Sequence, residues 1–282
     1  MMNKLKLQEM LQQFFREDIG DGDLTSSIIF SEKDIASGVF IAKEDGVISG
    51  MAVIQTGYHL LENNVSVKNF VSDGELVKKG DVIAEVTGPV HILLTGERVI
   101  LNLLQRMSGI ATLTNQTVQL LNDPHTRVCD TRKTTPGLRM LEKYAVTSGG
   151  GYNHRYGLYD GVMIKDNHIA HMGSITKAVT VVKSKLGHMV KIEVETETEA
   201  QVREAVEMGV DVIMFDNRSP EEVKQFVEIV PSHITTEASG GITLENIGQY
   251  QGTGVDYISL GMLTHSARSL DISLNLKGGS KA

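Results

Sequence analysis

The sequence contains no tryptophan, one cysteine, five prolines and only 5% aromatic residues in 282 positions. A lone cysteine, Cys129, excludes an intramolecular disulfide framework and a multi-cysteine zinc site, and it fits a reducing compartment. Cys129 sits in a short apolar run, so its expected role is a small buried hydrophobe rather than a nucleophile. No apolar stretch is long enough to cross a bilayer, and Met1-Met2-Asn3-Lys4-Leu5 has no apolar signal core. Positive charge is scarce as well: 27 Lys plus Arg against 35 Asp plus Glu leave a formal net charge of −8. That balance argues against nucleic acid and anionic membranes as partners. The expectation is therefore a cytoplasmic protein, with ordinary globular values of 41% apolar and 22% charged residues. Its length leaves room for one large α/β domain and a smaller one.

What is present changes character along the chain. Leu5, Leu7, Met10, Leu11, Phe14 and Phe15 stand at helical spacing and predict an amphipathic helix over 5–17. The aspartates at 18, 21 and 23 invite a calcium reading, but the loop has Ser26 where an EF-hand needs glycine. A turn that caps the next element is the better reading. Short β-type runs follow at 38–42, 47–52, 65–71 and 82–86, separated by turns. The run 74–84 is similar to barrel-sandwich modules that carry biotin or lipoate. However, Lys78 and Lys79 precede the turn glycine instead of standing alone at a hairpin tip. The likeness is one of sheet geometry. Residues 97–122 carry a wide apolar stripe, predicting one long helix or two broken at Ser108-Gly109. On pattern alone Arg98 and Arg106 of that element face solvent or snorkel.

From Arg127 the chain alternates strand and helix. Strand-like runs centre near Val128, Met163, Ile192, Ile213, Thr235 and Ile258, the last four separated by 21, 22 and 23 residues. Helical segments at 174–186, 198–208, 220–230 and 244–250 lie between, with Ser174, Thr198, Ser219 and Thr243 where N-caps belong. Such runs are too apolar for a half-exposed sheet and indicate parallel strands covered by helices. The expected fold is α/β: an incomplete (β/α) TIM-like barrel over 113–265, with an N-terminal α+β, sandwich-like domain over 1–112 joined by 266–282.

In such barrels the working residues follow the strands. Here the strand ends carry Arg132 and Lys133; Lys165; Glu195; Asp216; Ser239-Gly240-Gly241; and Ser259-Leu260-Gly261. Residues 127–168 hold seven Lys or Arg against four Asp or Glu, a local +3 in an acidic chain. Clustered cations in glycine-bearing loops suit a compact polyanion. Glycine loops late in a barrel suit a phosphate, and Glu195 and Asp216 suit ribose hydroxyls or a magnesium ion shared with phosphates. Arg132 and Arg155 offer planar forks for carboxylates.

Three motifs now bear on identity: Asp130-Thr131-Arg132-Lys133-Thr134-Thr135-Pro136-Gly137-Leu138-Arg139, Gly149-Gly150-Gly151-Tyr152-Asn153-His154-Arg155, and Ile164-Lys165-Asp166-Asn167-His168. Together with matches from Glu17 to Ser266 in the right order, they resemble the quinolinate phosphoribosyltransferase family. The resemblance implies a decarboxylating glycosyltransferase that joins quinolinate to phosphoribosyl pyrophosphate with Mg2+, yielding nicotinate mononucleotide, pyrophosphate and CO2 for NAD biosynthesis. It implies that Arg132, His154, Arg155 and Lys165 hold the quinolinate carboxylates, with Thr131 and Lys133 also lining the pocket. Lys133, Lys165, Glu195 and Asp216 match positions around the pyrophosphate, ribose and metal, where Glu195 and Asp216 act on magnesium directly or through water. Ser239, Gly240, Gly241, Ser259, Leu260 and Gly261 match the 5′-phosphate cradle, with His265 nearby. Arg98 matches an arginine that enters the neighbouring subunit's site, which implies a homodimer or a hexamer.

Other readings stay open at this point. A Schiff-base lyase on the same barrel would use Lys165 as its amine but leave Arg132, His154 and Arg155 idle. A carrier would use Lys78 or Lys79. A molybdenum-transport-associated paralogue of the family shares the fold, and the set Arg132, His154 and Arg155 favours the quinolinate enzyme over it.

Overall fold

A computed structural model describes residues 2–277 and divides the chain into two compact units. One comprises residues up to Asn115, Met140–Gly150 and the segment from Ala267; the other comprises Gln116–Arg139 and Gly151–Ser266. The expected boundaries at 112 and 266 lie close to these, but residues 140–150 belong to the first unit rather than to the barrel. Residues 278–282 of the expected C-terminal addition lie outside the described residues.

The first unit begins with helix α1 (Lys4–Ile19), whose Leu7, Met10, Leu11 and Phe15 are buried as their spacing requires. Helix α2 (Leu24–Ile29) is capped by Asp23, whose carboxylate accepts the N–H groups of Thr25 and Ser26. The aspartate-rich turn therefore caps a helix. Next come β1 (Ile35–Ala42), β2 (Gly46–Val47), α3 (Met51–Leu61), β3 (Ser66–Asn69), β4 (Leu76–Val77) and β5 (Val82–Pro89). Strands β1, β3 and β5 form an antiparallel sheet completed by the C-terminal strand Ile272–Leu276 on the free side of β1.

One expectation fails here, and one open alternative is decided. The strand expected at 47–52 is only two residues long, and a helix starts at Met51. The helix start is capped by Asp73, which accepts the N–H groups of Gly50 and Met51 from more than twenty residues away. Helix α4 (Val90–Leu121) runs 32 residues without a break at Ser108-Gly109. Gly109 serves close packing instead: a Cβ there would lie 2.0 Å from the Arg268 carbonyl oxygen. Arg106 is only partly exposed, its side chain at 23%. Its Nε and Nη2 donate to Glu142, whose side chain is 1% exposed, and its Nη1 donates to the Ala267 carbonyl.

The second unit is built on six parallel strands: β6 (Arg127–Cys129), β7 (Val162–Ile164), β8 (Ile192–Thr196), β9 (Val212–Asp216), β10 (Thr235–Ser239) and β11 (Tyr257–Ser259). Their spatial order is β6-β11-β10-β9-β8-β7, so β6 pairs with the last strand and not with β7. The ring is open between β6 and β7, as an incomplete barrel requires. Tyr152 forms a parallel bridge to Cys129 of β6. Helix α5 (Arg139–Ser148) follows β6 in the chain but belongs, past Arg139, to the first unit, while α6 (Asp166–Met172), α7 (Ile175–Lys183), α8 (Glu199–Glu207), α9 (Pro220–Ile229) and α10 (Met262–His265) lie between or after the strands of the second.

Ser174, Thr198 and Ser219 are N-caps as expected, the last two in capping boxes with Gln201 and Glu222. Thr243 is not. The expected helix at 244–250 is a single 3-10 turn, Ile247–Tyr250. Val194, Ile213, Ala238 and Ile258 are at most 1% exposed under the helix layer. Each such burial is worth roughly 1–3 kcal/mol, which is why the strands read as nearly unbroken apolar runs. Cys129 is buried among them at 2% exposure. Among the described residues no helix is long and apolar enough to cross a membrane.

Candidate active site

Parallel register brings the strand ends to one rim. Asp216 stands opposite Ser239, Ser239 opposite Ser259, and Glu195 opposite Met214. Side chains two residues apart on a strand share a face. Glu193 and Glu195 therefore point into the barrel together, as do Met214 and Asp216, and Glu237 and Ser239. A cavity of about 650 Å³ opens at this end. It is lined by Thr131, Arg132, Lys133, His154, Arg155, Lys165, Glu195, Asp216, Ser239, Gly240, Gly241 and Ser259. Twelve residues expected at a site are thus brought together. Met163, Met214, Asn217 and Glu237 complete the wall.

Four expected residues are not in that lining. Leu260 is buried at 3% exposure. Gly261 and His265 stand behind Lys133: a Cβ on Gly261 would lie 2.8 Å from Lys133 Cδ and 3.2 Å from His265 Nε2. Arg98 belongs to the first unit, where its exposed side chain lies 4.0 Å from Glu97.

The cations are anchored locally. Thr131 Oγ1 accepts the Lys133 N–H, and Lys133 O accepts the Thr264 hydroxyl, which fixes the loop after β6. Arg139 braces the same loop through Thr134 Oγ1 and the Tyr156 carbonyl. Arg155 Nη1 donates to the Gly161 carbonyl. Yet the Nε atoms of Arg132 and Arg155 are both buried without a hydrogen-bond partner. Burial, and then the neighbouring Arg132 charge, pushes the Arg155 guanidinium below its usual pKa. Two adjacent guanidinium groups with donors to spare call for an anion. Across the mouth Lys165 Nζ lies 2.9 Å from Glu195 Oε2.

At the phosphate end, Asn217 has φ 55° and donates Nδ2–H to Asp216 Oδ2, while its backbone N–H reaches the Ser239 carbonyl. Gly240, at φ 85°, lies against it, and a Cβ there would sit 2.3 Å from Asn217 Oδ1. Only glycine fits both the dihedral and the space.

His154, in the same lining, is held on both ring nitrogens. Its Nδ1 accepts the Arg155 backbone N–H at 2.8 Å, and its Nε2 lies 2.9 Å from Glu193 Oε2 and 3.6 Å from Glu237 Oε2. Asp130 accepts the His154 and Asn153 N–H groups and holds this turn in place. With Nδ1 accepting, the ring proton sits on Nε2, and both nitrogens are spent within the protein. His154 therefore ties two buried carboxyls to the lining of the mouth. The same tautomer denies a metal ion the Nε2 lone pair, although His154, Glu193 and Glu237 have metal-like spacing. Glu237 is pushed up to about 7, chiefly by burial and then by the Glu193 charge. Glu193 and Glu237 were not assigned to the site because mid-strand carboxylates inside a barrel carry no loop signal.

An open parallel barrel whose mouth combines spare guanidiniums, lysines, carboxylates and a glycine loop defines a barrel enzyme for an anionic, phosphate-bearing substrate. Sequence comparison agrees in detail. Residues 23–108 match the profile of the quinolinate phosphoribosyl transferase N-terminal domain, and residues 110–275 match that of its C-terminal domain. The chain belongs to the quinolinate phosphoribosyltransferase family. A probable nicotinate-nucleotide pyrophosphorylase (carboxylating) of Bacillus subtilis is 58% identical over 275 residues, covering 98% of this chain and 95% of its own. The NadC crystal structure from Streptococcus pyogenes superposes with a TM-score of 0.95 at 42% identity, covering 99% of this chain and 98% of its own. The nicotinate-nucleotide pyrophosphorylase of Francisella tularensis gives 0.91 at 35% identity, covering 98% of each chain.

Proposed function

We propose that this protein is a quinolinate phosphoribosyltransferase, converting quinolinate and phosphoribosyl pyrophosphate to nicotinate mononucleotide, pyrophosphate and CO2 in de novo NAD biosynthesis. The observation that carries the reading is the pair of buried, partnerless Nε donors on Arg132 and Arg155 in the same cavity as the Lys165–Glu195 ion pair and the Gly240-Gly241 loop. The guanidiniums suit the two carboxylates of the diacid; Lys133 and Lys165 suit the pyrophosphate; Ser239, Gly240, Gly241 and Ser259 suit the 5′-phosphate.

Departure of pyrophosphate builds positive charge on the ribose, and Glu195 and Asp216 on that side stabilise it. N-ribosylation then makes the ring nitrogen cationic, so the adjacent carboxylate can leave as CO2 with its electron pair held on the ring. The protein acts mainly by positioning. Magnesium, when bound, neutralises the departing pyrophosphate. Glu195 Oε2 is taken by Lys165 and Asp216 Oδ2 by Asn217, so these two carboxylates suit a metal held mostly by phosphate and water rather than an all-protein cage. The homodimer, with Arg98 serving the partner's site, is part of the same proposal and is supported by the side chain's exposure. A cytoplasmic location is supported by the single buried cysteine.

A Schiff-base role for Lys165 is disfavoured by its ion pair with Glu195, which engages the amine at 2.9 Å. The test is direct: purified protein receives quinolinate, phosphoribosyl pyrophosphate and magnesium, and CO2 and pyrophosphate are measured. Stoichiometric release of both supports the reading; no release of either removes it.

A further inference from the structure

The reaction proposed above has a proton requirement that the mouth does not obviously meet. When the ring carbon–carboxylate bond breaks, its electron pair stays on the carbon and CO2 departs. A new C–H bond must then form, and its proton must come from an acid close to that carbon. Lys165 is paired with Glu195, and Asp216 accepts from Asn217, so both are engaged within the mouth.

A second cavity bears on the question. It measures about 360 Å³ and is lined by residues at the strand starts, including Val162, Lys191, Val212, Thr235 and Tyr257. It therefore lies at the opposite end of the parallel sheet from the mouth. His154, Arg155 and Glu237 line both cavities, and Glu193 lines the second. A single layer of these side chains thus separates the two spaces. Its carboxyls carry buried oxygens with no partner, Oε1 of Glu193 and Oε1 of Glu237, with the Ser259 hydroxyl beside them. Glu193 and Glu237 are 6% and 4% exposed.

We propose that Glu237 is the acid that protonates the ring carbon vacated by CO2, and that it is reloaded from solvent through the cavity at the strand N-termini. In the step, the Glu237 O–H bond breaks, its proton joins the ring carbon's electron pair, and Glu237 is left as a carboxylate. Protonation from the second cavity returns it to the acid. That cavity has room for on the order of ten waters, enough for a hydrogen-bonded path. Glu193 on β8 faces Glu237 with its charge, and His154 from the loop before β7 donates to Glu193. Asp130 after β6 adds further negative charge, and Ser259 on β11 contributes a hydroxyl. Burial and these negative neighbours keep Glu237 up to about 7, so a substantial share of it is protonated at neutral pH. Glu193 and His154 are positioning residues that set this condition.

The experiment is single-turnover formation of nicotinate mononucleotide and pyrophosphate, followed separately from about pH 5.5 to about 9 in wild type, E237Q and E237D. In the wild type the nucleotide rate should fall as pH rises through about 7. E237Q should form nucleotide about 100-fold or more slowly, with no such fall, while pyrophosphate appears ahead of it. E237D, which keeps an acid, should recover at least about tenfold over E237Q. The proposal is overturned if E237Q makes nucleotide within about threefold of wild type, or if its pyrophosphate and nucleotide slow by the same factor. Should E237Q not fold, a wild-type rate flat across this pH range overturns it equally. Wild-type protein that makes no pyrophosphate from these substrates refutes the reaction itself, a distinct result.

Discussion

Two half-buried arginines show how differently the two units use charge. Arg106 in the first unit spends Nε and both terminal nitrogens on Glu142 and the Ala267 carbonyl. Arg155 in the barrel makes one bond to the Gly161 carbonyl and leaves its Nε without a partner beside the equally unpartnered Arg132 Nε. A buried ion whose donors are all taken is part of the architecture, whereas donors left over in a cavity are reserved for a ligand. The sequence marks Arg155 by its motif but gives no sign that Arg106 is bonded inside the first unit.

Substitutions can break or sharpen this contrast. The largest effect is expected for Arg106→Ala, which strands the buried Glu142 carboxylate and should cost on the order of 3–5 kcal/mol in denaturant unfolding. An unchanged unfolding midpoint would dissolve the comparison. Arg155→Ala should do the opposite: kcat/KM for quinolinate drops by about 100-fold or more, since charge-assisted bonds are worth about 1.5–3 kcal/mol each. Its thermal midpoint should stay put or rise. Activity undiminished in both Arg132→Ala and Arg155→Ala would remove them from the site.

Gly240→Ala should raise KM for phosphoribosyl pyrophosphate by roughly tenfold with little effect on quinolinate, because the new methyl meets Asn217 in a left-handed backbone. Equal effects on both substrates would place the glycine loop elsewhere in the reaction. The smallest effect concerns stability. Glu237 titrates near 7 when folded against a usual 4.5, so its ionisation opposes folding as pH rises from about 4.5 through about 7. Glu237→Gln should therefore melt higher than wild type at about pH 8, and the gap should close below about pH 4.5. A gap independent of pH would show that Glu237 does not titrate in this range.

Legibility in the sequence followed the range of the forces involved. Ser174, Thr198 and Ser219 were readable as caps because a cap and its N–H lie within three residues. The start of α3 was misread as strand because its cap, Asp73, comes from a distant turn. The strand-end residues of the mouth were readable because a barrel puts loop starts on one rim. The buried carboxyl layer was not, because Glu193 and Glu237 become neighbours only when β8 and β10 curve around the same interior.

The sequence by itself determined the alternation of strand and helix, the polarity of each strand end and the family motifs, all of which arise from local periodicity and contiguous residues. Only the tertiary structure decided that the ring stays open between β6 and β7, that Arg106 is architectural while Arg132 and Arg155 keep free donors, and that His154 serves two glutamates. Those outcomes depend on which distant groups desolvate one another, and desolvation is a property of the packed chain.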